Sequence, residues 1–183
     1  VEAMQHHAFA PKIQEHACGT LGNLALRSEE NQKVIGQQKG VEHIVKAMAE
    51  HPQAEKVQER GLWAVEQLAM TSTNRRDIVN CGGIERVVNA MRTHPQSEAA
   101  QEHGCMALGN MAFETENRKR VAYAQGIDSI VSAMGSFPGS PALQEDACFA
   151  LHNMACSDEA MKPIADAGGI EAVLRAMHQH PMV

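Results

Sequence analysis

"CMALGNMA", residues 105–112, is an apolar run with a single amide, Asn110, set into it. Three relatives lie elsewhere in the chain: "CGTLGNLA" at 18–25, "LWAVEQLA" at 62–69 and "CFALHNMA" at 148–155. The amide recurs at one place in each, as Asn23, Gln67, Asn110 and Asn153. Self-similarity of this kind decides architecture before any motif is read, because one unit of a repeat array cannot bury its apolar face alone.

Other landmarks keep the same step. Gln-Glu pairs begin at Gln14, Gln58, Gln101 and Gln144, at intervals of 44, 43 and 43 residues. A glycine followed by Val or Ile and an acid recurs at Gly40, Gly83, Gly126 and Gly169. Ala-Met recurs at Met4, Met48, Met91, Met134 and Met177, and His-Pro closes the segment at His51, His94 and His180, with Phe137 in the equivalent place. Each unit divides into three helices by its own punctuation. In one unit, "ENRKRVAYAQ" (116–125) is expected to stop at a left-handed Gly126, "IDSIVSAMGSF" (127–137) to end before Pro138, and "PALQEDACFALHNMAC" (141–156) to start near Pro141. No stretch alternates with period two, so no sheet is expected.

The resulting fold class is all-α: a solenoid of about four 43-residue three-helix repeats forming a single array over 1–183. Residues 1–8 read as the end of a preceding repeat's second helix. Units 9–52, 53–95, 96–138 and 139–181 each run third helix, first helix, second helix. The chain begins at Val1 rather than Met and shows no polar capping repeat. Exposed apolar surface is therefore expected at both ends, either because the parent protein is longer or because the ends pair with something.

Composition agrees. Hydrophobic residues make up 44% and aromatics only 3%, which suits helical stacking on Ala, Leu, Ile, Val and Met rather than a β-sandwich. A net charge of -6 without like-charge blocks argues against nucleic acid as a partner. Cys18, Cys105 and Cys148 fall at one repeat position and read as small core residues in a reducing compartment. With no 18-residue apolar run and no leader, the expected setting is cytoplasmic or nuclear, with no membrane association. The Met column reads as core filling and the His column as contacts to helix-end carbonyls. The Gln column reads as hydrogen bonding within or between repeats. Pro163 is expected to delay its helix to about Lys162 or Pro163 itself.

The chain resembles the armadillo repeat family. The resemblance rests on second helices such as "GGIERVVNAM" and third-helix cores such as "VQERGLWAVEQLA" and "LQEDACFALHNMA", and it covers essentially the whole sequence. HEAT repeats, the nearest structural rival, lack the Gly-Gly break and the recurring Asn. The resemblance implies a right-handed α-solenoid whose third helices line a concave surface. In the family, an Asn there bonds the backbone of an extended peptide while a Trp one turn earlier stacks beside its side chains. Asn23, Asn110 and Asn153 match that Asn, and Gln67 is a longer amide. Trp63 matches the Trp and Phe149 replaces it with another aromatic, whereas Met106 and Gly19 depart from the pattern.

Helical geometry supplies an independent argument. Positions seven, four and zero before the amide share one stripe. They are His16, Gly19 and Asn23; Arg60, Trp63 and Gln67; His103, Met106 and Asn110; Asp146, Phe149 and Asn153. Core residues such as Cys18, Leu21 and Leu24 are expected opposite. A row of amides offers both donor and acceptor to any peptide backbone, so the expected partner is a protein or extended peptide, with Trp63 and Arg60 as the richest spot. The competing reading has the same amides bridging neighbouring third helices. His16 and His103 are expected to weaken binding as they protonate near pH 6. No catalytic constellation, metal motif or cofactor loop is present, so neither an enzyme nor a cofactor is expected. The remaining alternative is a structural segment that associates end to end.

Overall fold

At each Gly-(Val/Ile)-acid motif the residue before the glycine is left-handed: Lys39 at φ 58, Gly82 at φ 81, Gln125 at φ 63 and Gly168 at φ 79. The left-handed position is thus Gln125, not Gly126 as the sequence suggested. Gly126 is instead the first residue of the following helix. It is glycine for lack of space, since a Cβ there would sit 2.5 Å from Cγ1 of Val121 and 3.0 Å from its carbonyl oxygen. Ile35, Ile78 and Ile164 crowd Gly40, Gly83 and Gly169 in the same way. This close approach draws each first helix onto the second.

The computed structural model describes residues 1–181. After α1 (Glu2–His6) come α2 (Pro11–Ala25), α3 (Glu29–Gln37) and α4 (Gly40–Glu50), then α5 (Glu55–Leu68), α6 (Ser72–Asn80) and α7 (Gly83–Thr93). The next unit is α8 (Glu98–Met111), α9 (Thr115–Tyr123) and α10 (Gly126–Ser136), and the last is α11 (Pro141–Ala155), α12 (Asp158–Asp166) and α13 (Gly169–Gln179). No strand occurs among the described residues. The long third helices α2, α5, α8 and α11 pack on one another in series, each also touching the second helix before it. One apolar core runs through the array from Met4 to Ala176.

The Gln column organises this stacking. Gln14, Gln58, Gln101 and Gln144 are all buried. The Nε2 of Gln101 donates to the carbonyls of Met91 (2.8 Å) and His94 (3.0 Å), two groups left free at the end of α7. Gln14, Gln58 and Gln144 treat Met4 and His7, Met48 and His51, and Met134 and Phe137 in the same way. The His column reaches one repeat further back. Nε2 of His51 lies 2.6 Å from the Ala8 carbonyl oxygen, that of His94 2.8 Å from Pro52, and that of His180 2.9 Å from Pro138. Phe137 has no nitrogen with which to do this.

Two expectations change. Helix α12 begins at Asp158 and carries Pro163 inside it. Asp158 and Glu159 suit the positive helix start, and buried Ala160 and Ile164 anchor the helix on both sides of the ring, so the proline forfeits one hydrogen bond without moving the onset. Leu24, expected in the core, is half-exposed, whereas its equivalents Leu68, Met111 and Met154 are fully buried. Only the short α1 and the following helices pack around α2, leaving Leu24 without the preceding repeat's helices that cover the others.

Gln101→Leu strands the Met91 and His94 carbonyls in the core. Urea unfolding is expected to show a loss of about 2 kcal/mol, the desolvation cost of unpaired buried acceptors. A loss below about 0.5 kcal/mol would contradict the capping role.

Candidate functional site

The stripe along the third helices is graded rather than uniformly open. His16, Asn23 and Arg60 are exposed; Trp63, His103, Met106, Asp146 and Phe149 are half-buried; Gln67, Asn110 and Asn153 are buried. Asn110 and Asn153 turn their amide nitrogens onto the preceding third helix. Nδ2 of Asn110 donates to the Glu66 carbonyl at 3.1 Å, and Nδ2 of Asn153 to the Gly109 carbonyl at 3.0 Å. Gln67, one methylene longer, bonds its neighbour Glu66 instead at 2.7 Å. Asn23 has no earlier third helix to meet, and its Oδ1 accepts from Nε1 of Trp63 at 3.3 Å. The amide column thus spans neighbouring third helices wherever an Asn has one before it.

The uneven aromatic column has a steric cause one repeat earlier. Trp63 lies against Gly22, where a Cβ would stand 2.7 Å from Nε1 of the indole. Phe149 lies against Gly109, where a Cβ would stand 2.8 Å from Cδ1 of the ring. Between them the equivalent residue is Glu66, and no slot exists for an aromatic at Met106. Glu66 meets His103 instead, Oε2 to Nδ1 at 2.9 Å, and the His103 ring stands 5.2 Å from that of Trp63. Glycine or acid at the residue before the amide therefore selects aromatic or histidine contact in the next unit.

Arg60, Trp63, His103, Glu66 and Asp146 form the polar centre of this face. Burial first, then the carboxylates of Glu66, Glu102 and Glu145, push the Asp146 carboxyl up to about 7, against the opposing pull of His103. Sequence reasoning missed Glu66, whose acid marks the break in the glycine pattern. It also missed the exposed apolar row Leu26, Met70 and Phe113, three residues after the amide. Phe113 packs edge-on to Phe149 at 5.9 Å and lies beneath Arg75, whose guanidinium is 5.7 Å from the ring centre. Met70 places its sulfur 3.5 Å from Nδ2 of Asn110. The row was legible as a recurring apolar position, but helical phase alone put it beyond the stripe.

Among the described residues no group of three His, Cys, Asp or Glu side chains is arranged to hold a metal ion. No helix among them is long and apolar enough to cross a membrane. All five cysteines are free thiols, with Cys18 and Cys105 buried as expected, Cys148, expected with them in the core, only half-buried, and Cys156 exposed. Burial pushes the Cys18 thiol up to about 12.

A family model described as the LRRK2 ARM repeat matches residues 1–177. No curated protein matches the sequence. Among solved structures, the crystal structure of an engineered protein superposes with a TM-score of 0.82 at 27% identity, covering 96% of this chain and 69% of that one.

The Asp146 shift has a signed consequence for stability. Its folded pKa lies above the unfolded 3.8, so the native state holds the extra proton and stability falls as pH rises from about 4 through about 7. Asp146→Asn should raise stability at pH 8 by about 1–2 kcal/mol, allowing for solvent screening of a partly exposed group, and change little at pH 4. Thermal melts of both proteins across this range check it; equal shifts at both pH values would contradict the assignment.

Proposed function

We propose, from the premise that this chain belongs to the armadillo-repeat family, that it is a protein-binding scaffold which holds an extended peptide segment along its third-helix face. The observation that carries this reading is Trp63. Its ring is held in the slot left by Gly22, half-exposed, between exposed Arg60 and the Glu66–His103 pair. A large rigid aromatic beside an arginine is what dominates binding energy at interfaces, because it offers much contact area for little lost side-chain entropy.

The groove residues divide by role. Trp63, Phe149 and Met106 supply apolar contact, while His16, Arg60, His103 and Asp146 supply charge and hydrogen bonding. Asn23 presents an exposed amide; Asn110 and Asn153 chiefly fix the spacing of the helices on which the contacts ride, and Gln67 is spent on its neighbour Glu66. Dense packing along α2, α5, α8 and α11 supports a concave face on this side. No catalytic role or cofactor belongs to this reading, and the free thiols fit a cytoplasmic or nuclear setting.

A second reading, association of the array through its ends, is favoured by one observation: Ile170, Leu174 and Met177 on α13 are uncovered.

For the groove, peptides selected from a random extended library on the wild-type protein should bind Trp63→Ala and Phe149→Ala at least about tenfold more weakly, as hot-spot truncations do. Titration by fluorescence anisotropy measures this. Unchanged affinity in both variants, with their folds intact by circular dichroism, would overturn the groove reading.

A further inference from the structure

Between neighbouring first helices an arginine recurs with two different outcomes. One arm of Arg75 on α6 donates to the carbonyls of Ala69 and Met70, and the other to Oε1 of Glu114 at 3.0 Å, at the start of α9. Arg118 on α9 stands one repeat later and holds the equivalent carbonyls, Ala112 at 2.8 Å and Phe113 at 3.5 Å. The residue equivalent to Glu114 is Ser157, at the start of α12. With no carboxylate to meet there, the outer arm of Arg118 donates to the Cys156 carbonyl at 3.1 Å.

The Ser157 hydroxyl has no work in the fold. It stands at the N-cap of α12 yet caps nothing, whereas Ser28, Ser97 and Ser140 accept from the backbone N–H groups of Asn31, Ala100 and Leu143. Ser157 is only 9% exposed, and its Oγ is buried without a hydrogen-bond partner. It borders a cavity of about 310 Å³, far larger than a phosphoryl group, whose wall includes Arg118, Lys119 and Pro163. The free N–H groups and the dipole at the start of α12 favour negative charge at this point. Arg118 retains N–H donors beyond those its carbonyl partners use. An anion on the Ser157 oxygen would therefore break no hydrogen bond of that hydroxyl and would complete the pair that Glu114 makes with Arg75.

We propose that Ser157 is a phosphorylation site whose phosphate is received by Arg118 and the N-terminus of α12, pinning α12 to α9 as Glu114 pins α9 to α6. This goes beyond the peptide-binding reading and does not depend on it. Oγ attacks the γ-phosphorus of a nucleoside triphosphate held by a protein kinase. The Oγ–P bond forms, the bond to the β–γ bridging oxygen breaks, the nucleoside diphosphate leaves, and the hydroxyl proton passes to the kinase's carboxylate base. Access requires the first turn of α12 to open, and that turn is weakly held. It has no side-chain cap, and Pro163 has no N–H to give the Glu159 carbonyl. Asp158 and Glu159, directly after the serine, present the charge pattern read by a kinase with a basic substrate cleft. In the closed helix Glu159 pairs with Lys119 at 3.2 Å, which compensates its charge beside the phosphate.

The full chain with phosphoserine installed at position 157 during synthesis tests the phosphate's reception. Its phosphorus NMR titration should have a midpoint at least about 0.5 pH units below that of the same protein in urea, since the folded state favours the dianion. Arg118→Gln should remove most of that difference. The phosphate should raise the melting temperature of the wild type but not of Arg118→Gln, and Ser157→Glu, which copies Glu114, should raise it as well. Arg118 also holds two carbonyls, so the comparison with urea on the unsubstituted chain decides the matter even where Arg118→Gln fails to fold. A midpoint equal to or above that in urea would overturn the proposal, as would a melting temperature lowered by the phosphate in the wild type. Incubation of the wild type with magnesium ATP and an acidophilic protein kinase should place one phosphate on Ser157 by mass spectrometry, and none there in Ser157→Ala. A Ser157 left unmodified after exhaustive incubation would overturn it as a site of modification.

Discussion

Everything in this array depends on how a second helix ends. Its last carbonyls have no partner within the helix, and the chain turns away at once into the following third helix. A buried glutamine on that third helix donates its two amide hydrogens to two of these carbonyls, as Gln101 does to Met91 and His94. The bond fixes the angle between the helices within a unit. The histidine of the same turn, through contacts such as His94 to the Pro52 carbonyl, ties that unit to the one before. Polar groups that would destabilise the core if unpaired are what set the register of the stack.

A second constraint is the absence of side chains at chosen points. Gly126 and its equivalents let a first helix close on a second, Gly61 and Gly104 admit the methionine of the helix before, and Gly22 and Gly109 admit an aromatic from the helix after. These contacts run in opposite directions along the chain, and on α8, which carries both Gly104 and Gly109, they key one third helix to a helix before it and a helix after it. The layout of the third-helix face follows from this keying: Trp63 is presented where it is because its ring lies in the slot beside Gly22, and the Glu66–His103 pair occupies the position where no such slot exists.

The fold was legible in the sequence because four periodic columns reported on one repeated environment; the Gln column read as hydrogen bonding within or between repeats, but its partners at the end of the second helix did not show. The left-handed residue at Gln125 was not, since a glycine stood beside it and crowding against Val121 leaves no trace in one unit read by itself. The site was legible as a stripe but not in depth. Helical phase places Asn110 and Trp63 on one face; it does not say that the shorter amide is buried against Glu66 while the larger ring stays partly open. Glu66 escaped notice because its importance lies in replacing a glycine, and its partner His103 is 37 positions away.

In the proposed peptide-binding role the third helices carry the peptide and the second helices are the outer support. Trp63 is the sole tryptophan, so its indole N–H gives one unambiguous signal in a nitrogen–proton correlation spectrum. Titrating the labelled protein with a selected peptide should shift that signal together with backbone amides on α5, α8 and α11, leaving those on α4, α7 and α10 in place. Shifts confined to the second helices, with the indole signal unmoved at saturation, would contradict it.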